Sequence, residues 1–131
     1  MGITGDRQVK PKILVIEDDA AVVQLLKDML EFEGYEVTVG FDGKEGVSLV
    51  HKEHPRLIIM DIAMPEMSGI DAVFILQQEP ETRSIPVIFL TGDPKPLPVS
   101  LRQPHIARIQ KPINFDDLQK TITRLLGQKS S

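Results

Sequence analysis

The chain has 131 residues, of which 41% are hydrophobic and 26% are charged, and its formal net charge is −4 at pH 7. This length fits one domain that buries roughly two-thirds of its unfolded surface, and the composition is typical of a soluble globular protein. The chain has no run of Lys or Arg that would indicate nucleic-acid binding, and no apolar run near the ~20 residues of a membrane span. The absence of cysteine excludes disulfides and thiol chemistry. We therefore expect a cytoplasmic protein with no direct contact to nucleic acid or membrane.

Apolar and amphipathic segments alternate along the chain. Strands are predicted at residues 12–16, 35–40, 57–60, 85–90 and 106–110. Helices are predicted at about residues 20–33, 42–54, 68–79 and 114–126, with Asp19 and Asn114 at two of their starts and Gly34 as one stop. The predicted apolar faces are Val22, Leu25, Leu26, Met29 and Leu30, then Ile70, Val73 and Phe74, and finally Phe115, Leu118, Ile122 and Leu125.

The two ends of the chain lack periodicity. Residues 1–11 are polar and are interpreted as a disordered leader or a cloning remnant, and residues 127–131 as a frayed tail. One domain is therefore expected over residues 12–126.

Proline dominates the connection between the fourth and fifth strands. Pro94, Pro96, Pro98 and Pro104 leave only residues 99–103 free of proline. Each interior proline costs a helix about 3 kcal/mol or more, and the residue before it is pushed toward extended geometry. The connection is therefore predicted to be irregular and mostly extended, with at most one helical turn.

Strands that alternate with helices predict parallel βαβ units and a doubly wound α/β sheet. The carboxyl ends of parallel strands meet at one edge, where the ligands of open α/β sheets bind. Four of the five predicted strands end there in polar groups: Glu17-Asp18, Asp61, Thr91 and Lys111. Asp61 alone could equally be a simple cap, but the other strand ends favour a site.

Carboxylates brought together in this way repel one another. Two unit charges about 4 Å apart cost roughly 4 kcal/mol at an effective dielectric near 20. A proton or a cation must therefore join them, and Mg²⁺ or Mn²⁺ is suited to such oxygen ligands. Lys111 and Thr91 add hydrogen-bond donors for an anion. Together with the carboxylates, they predict phosphoryl transfer to a carboxylate.

The sequence resembles the receiver domains of two-component response regulators, including chemotaxis receivers, over about residues 12–126. The matching motifs are Ile-Leu-Val-Ile-Glu-Asp-Asp, Asp-Ile-Ala-Met-Pro-Glu-Met-Ser-Gly, Phe-Leu-Thr-Gly and Gln-Lys-Pro, in this order. The resemblance implies a three-layer, flavodoxin-like fold with a five-stranded parallel sheet in the order 2-1-3-4-5. The proline-rich connection stands where the family has its fourth helix, so that helix is expected to be degenerate.

The resemblance also implies a role for each site residue. Asp61 would be the phospho-acceptor, Thr91 would hydrogen-bond the phosphoryl group, and Lys111 would pair with it. The implied metal ligands are Asp18, Asp61 and the main-chain carbonyl of Ala63, with Glu17 acting through water. Pro112 matches a cis-proline junction.

The implied function is a signalling module that catalyses only its own aspartyl phosphorylation and dephosphorylation. A sensor histidine kinase or phosphotransfer protein would donate the phosphoryl group, and an output protein or fused output domain would receive the signal. One position departs from the family, because Arg108 stands where an aromatic switch is usual. A solvated arginine and a switch role both stay open there.

Other classes fit the residues less well. A receiver that serves only as a docking module usually lacks an acid or the lysine, and none is missing here. Phosphatases of the haloacid dehalogenase type carry a second acid two residues after the nucleophile, where this chain has Ala63. A flavodoxin-like FMN carrier needs a phosphate-binding loop after the first strand, where the acids would repel that ligand.

Overall fold

The computed structural model describes residues 10–127, so most of the predicted leader and tail lie outside the described residues. Strands and helices alternate in the order β1 (Lys12–Ile16), α1 (Ala20–Phe32), β2 (Glu36–Gly40), α2 (Gly43–Glu53), β3 (Leu57–Asp61), α3 (Gly69–Gln77), β4 (Val87–Thr91), β5 (Ile106–Gln110) and α4 (Phe115–Gly127). None of the helices in this described part of the chain has the length and apolar character of a membrane span.

The five strands form one parallel sheet in the order β2-β1-β3-β4-β5, which confirms the predicted fold. The central strand β3 is buried along its whole length and pairs with β1 on one side and β4 on the other. The register places Ile16 of β1 beside Met60 of β3, and Asp61 beside Leu90 of β4. The three strands therefore end close together.

Two apolar layers lie on the two faces of the sheet. Alternate residues of β1 point to opposite faces, because side chains along a strand alternate. Leu14 and Ile16 pack on the side of α2 and α3, and Ile13 and Val15 pack on the side of α1 and α4. These layers hold the strand ends in place.

The helix ends follow local sequence signals. Asp19 caps α1, and its carboxylate accepts hydrogen bonds from the backbone N–H groups of Ala21 (2.9 Å) and Val22 (3.4 Å). Asn114 caps α4 by accepting from Asp117 N–H at 3.0 Å. Gly34 has a φ of 97°, the left-handed geometry expected of a helix stop. Asn114 as a cap and Gly34 as a stop were predicted, and Asp19 was predicted at the start of α1.

Three apolar residues on the predicted helix faces are exposed instead. Phe74 of α3 points outward, whereas Ala72, Val73 and Leu76 form the buried face. Leu25 and Phe115 lie at the rim of their helices and line a cavity of about 280 Å³ beside Lys111 and Pro112. Helical periodicity defines an apolar face but not how much of it a neighbouring element covers.

The connection between β4 and β5 has the predicted character. It contains a single short 3₁₀ turn, Val99–Leu101, and is otherwise irregular. Leu97 and Leu101 insert into the apolar layer on the α3 side. β4 starts after Pro86 rather than at residue 85, and it extends to Thr91.

Candidate functional site

The four predicted strand ends meet at the carboxyl edge of the sheet. Glu17 and Asp18 directly follow β1, Asp61 is the last residue of β3, Thr91 is the last of β4, and Lys111 follows β5. The backbone fixes these ends, since Glu17 N–H donates to Gly40 C=O at 3.1 Å and Lys111 N–H donates to Thr91 C=O at 2.7 Å.

Three carboxylates form the centre of the site. Each of Glu17, Asp18 and Asp61 offers an oxygen, and these oxygens all lie within 4.8 Å of one another. Glu17 and Asp61 are almost fully buried, at 1% and 3% exposure, whereas Asp18 faces solvent. The cluster is therefore open on the side of Asp18. In the part of the chain that the structure describes, no other group of three or more His, Cys, Asp or Glu side chains is placed to hold a metal ion.

The Lys111 ammonium lies between the two buried carboxylates. Its Nζ is 3.3 Å from Glu17 Oε1 and 3.4 Å from Asp61 Oδ1. Burial opposes the charge on Lys111, but the attraction of Asp61 and Glu17 outweighs it, so the pKa of Lys111 is raised. The Lys111–Pro112 peptide bond is cis, as the resemblance implies.

Glu17 is the carboxylate in the cluster whose charge is disfavoured by its surroundings. Burial raises the pKa of its carboxyl from 4.5 to about 7; the nearby Asp61 charge adds to the rise, while the Asp19 N–H and Lys111 oppose it. Glu17 Oε2 accepts from Asp19 N–H at 3.1 Å. Glu17 Oε1 is buried and, although close to Lys111, makes no hydrogen bond.

A divalent cation fits this donor set. Hard cations such as Mg²⁺ bind carboxylate and carbonyl oxygens together with water. The unbonded Glu17 Oε1 is a buried acceptor that such an ion or its bound water would satisfy. Ala63 lies in the exposed loop after β3, two residues beyond Asp61, and its carbonyl as a ligand stays a prediction.

The Thr91 hydroxyl forms a local turn at the end of β4. Its Oγ1 accepts from Asp93 N–H at 2.9 Å and approaches the Asp93 carbonyl at 3.4 Å. The Arg108 guanidinium, although exposed, donates from its NH1 group to that same carbonyl at 3.1 Å. The sequence analysis did not identify Asp93. The one sequence signal for it is its position directly after Thr91-Gly92.

Gly69 is a second residue whose importance was missed. It begins α3, and its N–H donates to Ile62 C=O at 2.9 Å. A Cβ at this position would overlap the Asp61 carbonyl oxygen and would lie 2.7 Å from Met60 Cγ. Only glycine therefore lets α3 begin this close to the end of β3.

His51 and His54 are not part of the carboxylate cluster. His51 Nε2 contacts Glu79 Oε1 at 2.6 Å, and His54 ends α2 in the left-handed conformation. The pairing of His51 with Glu79 gives this histidine a structural role.

Comparison with known proteins agrees with this geometry. The family model described as "Response regulator receiver domain" matches residues 13–123. The polar-differentiation response regulator DivK of Brucella ovis is 36% identical over 121 residues, which cover 88% of this chain and 95% of DivK.

Solved structures show the same fold. A CheY-like response regulator receiver domain protein from Methanospirillum hungatei superimposes with a TM-score of 0.81 at 29% identity, covering 90% of this chain and 94% of that one. The receiver domain of a signal transduction histidine kinase from Syntrophus aciditrophicus gives a TM-score of 0.78 at 34% identity, covering 92% and 96%. The chain belongs to the response regulator receiver domain family, and it is a signalling module of two-component systems.

Proposed function

We propose that the receiver domain, residues 12–126, accepts a phosphoryl group on Asp61. The observation that carries this proposal is the place of Asp61: a buried carboxylate at the end of the central strand, 3.4 Å from Lys111 Nζ. Burial restricts water at the carboxylate, and the ammonium beside it would neutralise an incoming phosphoryl oxygen.

The phosphoryl donor in this proposal is the phosphohistidine of a sensor histidine kinase or of a phosphotransfer protein. An Asp61 carboxylate oxygen forms the new bond to phosphorus as the phosphorus–nitrogen bond of the donor breaks. The electron pair leaves on the histidine nitrogen, which then takes a proton. Lys111 and the Thr91 hydroxyl donate hydrogen bonds to the phosphoryl oxygens.

The domain would catalyse only this transfer and the later hydrolysis of its own aspartyl phosphate. Its changed conformation would then alter affinity for an output protein or a fused output domain. A cytoplasmic location belongs to the same proposal, because the proposed donor and output are expected there.

The proposed cofactor is Mg²⁺ or Mn²⁺, held by Asp18, Asp61 and the Ala63 carbonyl, with Glu17 bonded through water. The mutual proximity of the three carboxylates and the unbonded Glu17 Oε1 support this assignment. When bound, the cation would neutralise the carboxylates and bring positive charge to the phosphoryl oxygens.

Phosphorylation is tested with acetyl phosphate and Mg²⁺, followed by intact mass spectrometry. We expect the wild-type chain to gain one phosphoryl group and Asp61→Asn to gain none. Asp71→Asn, which alters an exposed aspartate in the first turn of α3, is the matched control and should still be modified. A phosphoryl group on the Asp61→Asn protein would refute the assignment.

Metal binding is tested by calorimetric titration of Mg²⁺ without a phosphodonor. Asp18→Ala should abolish binding, because it removes the solvent-facing ligand of the cluster. Asp19→Ala is the control, since the Asp19 carboxylate caps α1 and is not proposed as a ligand. Unchanged Mg²⁺ affinity in Asp18→Ala would contradict the proposed ligand set.

A further inference from the structure

Asp93, directly after the Thr91-Gly92 pair, makes three hydrogen bonds of 3.1 Å or less. Its N–H donates to Thr91 Oγ1 at 2.9 Å, its carboxylate accepts from Lys95 N–H at 2.9 Å, and its carbonyl accepts from Arg108 NH1 at 3.1 Å. The first two bonds are local, whereas the third ties the turn to β5.

The Asp93 carbonyl has two possible donors. Arg108 approaches it at 3.1 Å, and the Thr91 hydroxyl at 3.4 Å. A hydroxyl has one proton, and 3.4 Å is long for an O–H···O hydrogen bond. A carbonyl oxygen can accept from both donors, and the shorter bond, from Arg108, is the one that ties the Asp93 turn to β5.

We propose that Arg108 is a positioning residue for Thr91. By donating to the Asp93 carbonyl, it holds the turn whose N–H donates to Thr91 Oγ1, and so fixes the hydroxyl that is proposed to bond a phosphoryl oxygen on Asp61. This inference rests on the proposed function, because it assumes that Thr91 acts on a phosphoryl group there. Arg108 itself does not touch the reacting atoms.

The position of Arg108 on the sheet supports this role. The register places Arg108 beside Phe89 of β4, two residues before Thr91. Its backbone is thus part of the sheet, and only the guanidinium reaches across to the turn. The proline-rich connection begins immediately after Asp93, at Pro94, and proline restricts the backbone that precedes it. The target carbonyl is therefore presented by a restrained turn.

The kinetic test compares phosphorylation rates with acetyl phosphate and Mg²⁺. Without Arg108 the Asp93 turn is held less firmly and the Thr91 hydroxyl is less well positioned, so Arg108→Ala should be about two- to tenfold slower, as expected for the loss of one hydrogen bond. Arg108→Lys should recover part of the rate, because an ammonium also donates to a carbonyl. Arg102→Ala is the matched control: this arginine lies in the neighbouring connection and donates to Leu97 C=O at 2.8 Å. Its rate should equal that of the wild type.

A double-mutant cycle separates positioning from general loosening of the loop. In a Thr91→Val background no hydroxyl remains to be positioned, so adding Arg108→Ala should cause no further slowing. An equal slowing in both backgrounds, or an unchanged rate in Arg108→Ala alone, would overturn the proposal. So would an equally slow Arg102→Ala.

A readout on the resting protein distinguishes failure of this inference from failure of the proposed function. Backbone amide chemical shifts of Thr91 and Asp93, measured without phosphodonor, should change in Arg108→Ala and stay unchanged in Arg102→Ala. Unchanged shifts in Arg108→Ala would overturn the positioning role even if Asp61 is phosphorylated normally. Failure of the wild-type chain to accept a phosphoryl group would instead refute the proposed function.

Discussion

Replacing Glu17 with glutamine removes one charge from the carboxylate cluster while keeping the size of the side chain. The amide oxygen can still accept from Asp19 N–H, which Glu17 Oε2 does at 3.1 Å. The charge itself opposes folding, because burial raises the pKa of Glu17 from 4.5 to about 7. This rise in pKa corresponds to about 3 kcal/mol of lost stability at a pH where Glu17 is ionised in both the folded and the unfolded state.

The effect depends on pH in a defined direction. The pKa of Glu17 is higher in the folded state, so folding favours the protonated carboxyl. The resulting contribution to the free energy of unfolding is fully present below pH 4.5 and is lost as the pH rises to about 7. Glu17→Gln should therefore raise the free energy of unfolding by about 3 kcal/mol at pH 8 and by less than about 1 kcal/mol at pH 5.

Urea unfolding followed by circular dichroism, with a chelator present, measures both values. Glu33→Gln, at an exposed glutamate just after α1, is the control and should change stability by no more than about 0.5 kcal/mol at either pH. Equal stabilisation by Glu17→Gln at pH 5 and pH 8 would refute the electrostatic reasoning. No gain at pH 8 would refute it as well.

Two further predictions concern packing and a surface ion pair. Gly69→Ala forces a Cβ against the Asp61 carbonyl and should lower the free energy of unfolding in urea by about 1–3 kcal/mol. Gly92→Ala, with open space around the added Cβ, should be nearly neutral. Equal losses of stability in the two variants would contradict this packing. The hydrogen bond to Glu79 raises the pKa of His51, so its stabilisation is present below pH 6.5 and lost as the pH rises through the raised value. The stability advantage of the wild type over His51→Gln should therefore shrink from pH 6 to pH 8, and a constant advantage would exclude the ion pair as its source.

The sheet and the main site residues could be predicted because they depend on strong, local signals. The apolar run 57–60 can be buried on both faces only in a central strand, and it ends at Asp61. Once the strands are parallel, their carboxyl ends must share one edge, so Glu17, Thr91 and Lys111 follow without any knowledge of side-chain contacts.

The contacts that were not predicted depend on the path of the chain between elements. The bond from Arg108 to Asp93 joins residues 15 positions apart, and its existence depends on how the turn after β4 bends. The exposure of Phe74 depends on what α3 meets, since helical spacing alone does not distinguish the edge of an apolar face from its centre. The requirement for glycine at position 69 arises from the distance between α3 and the end of β3.

The cost of ionised Glu17 and the stabilisation expected from cation binding are similar in magnitude. Ionised Glu17 costs the metal-free protein about 3 kcal/mol. A cation that binds only the folded state, at one hundred times its dissociation constant, contributes about 2.7 kcal/mol of stability. Binding of Mg²⁺ would therefore nearly offset the cost of ionised Glu17, which arises mainly from its burial and in part from the nearby Asp61 charge. The buried charge that weakens the metal-free fold thus favours binding of the cation that phosphoryl transfer to Asp61 is proposed to use.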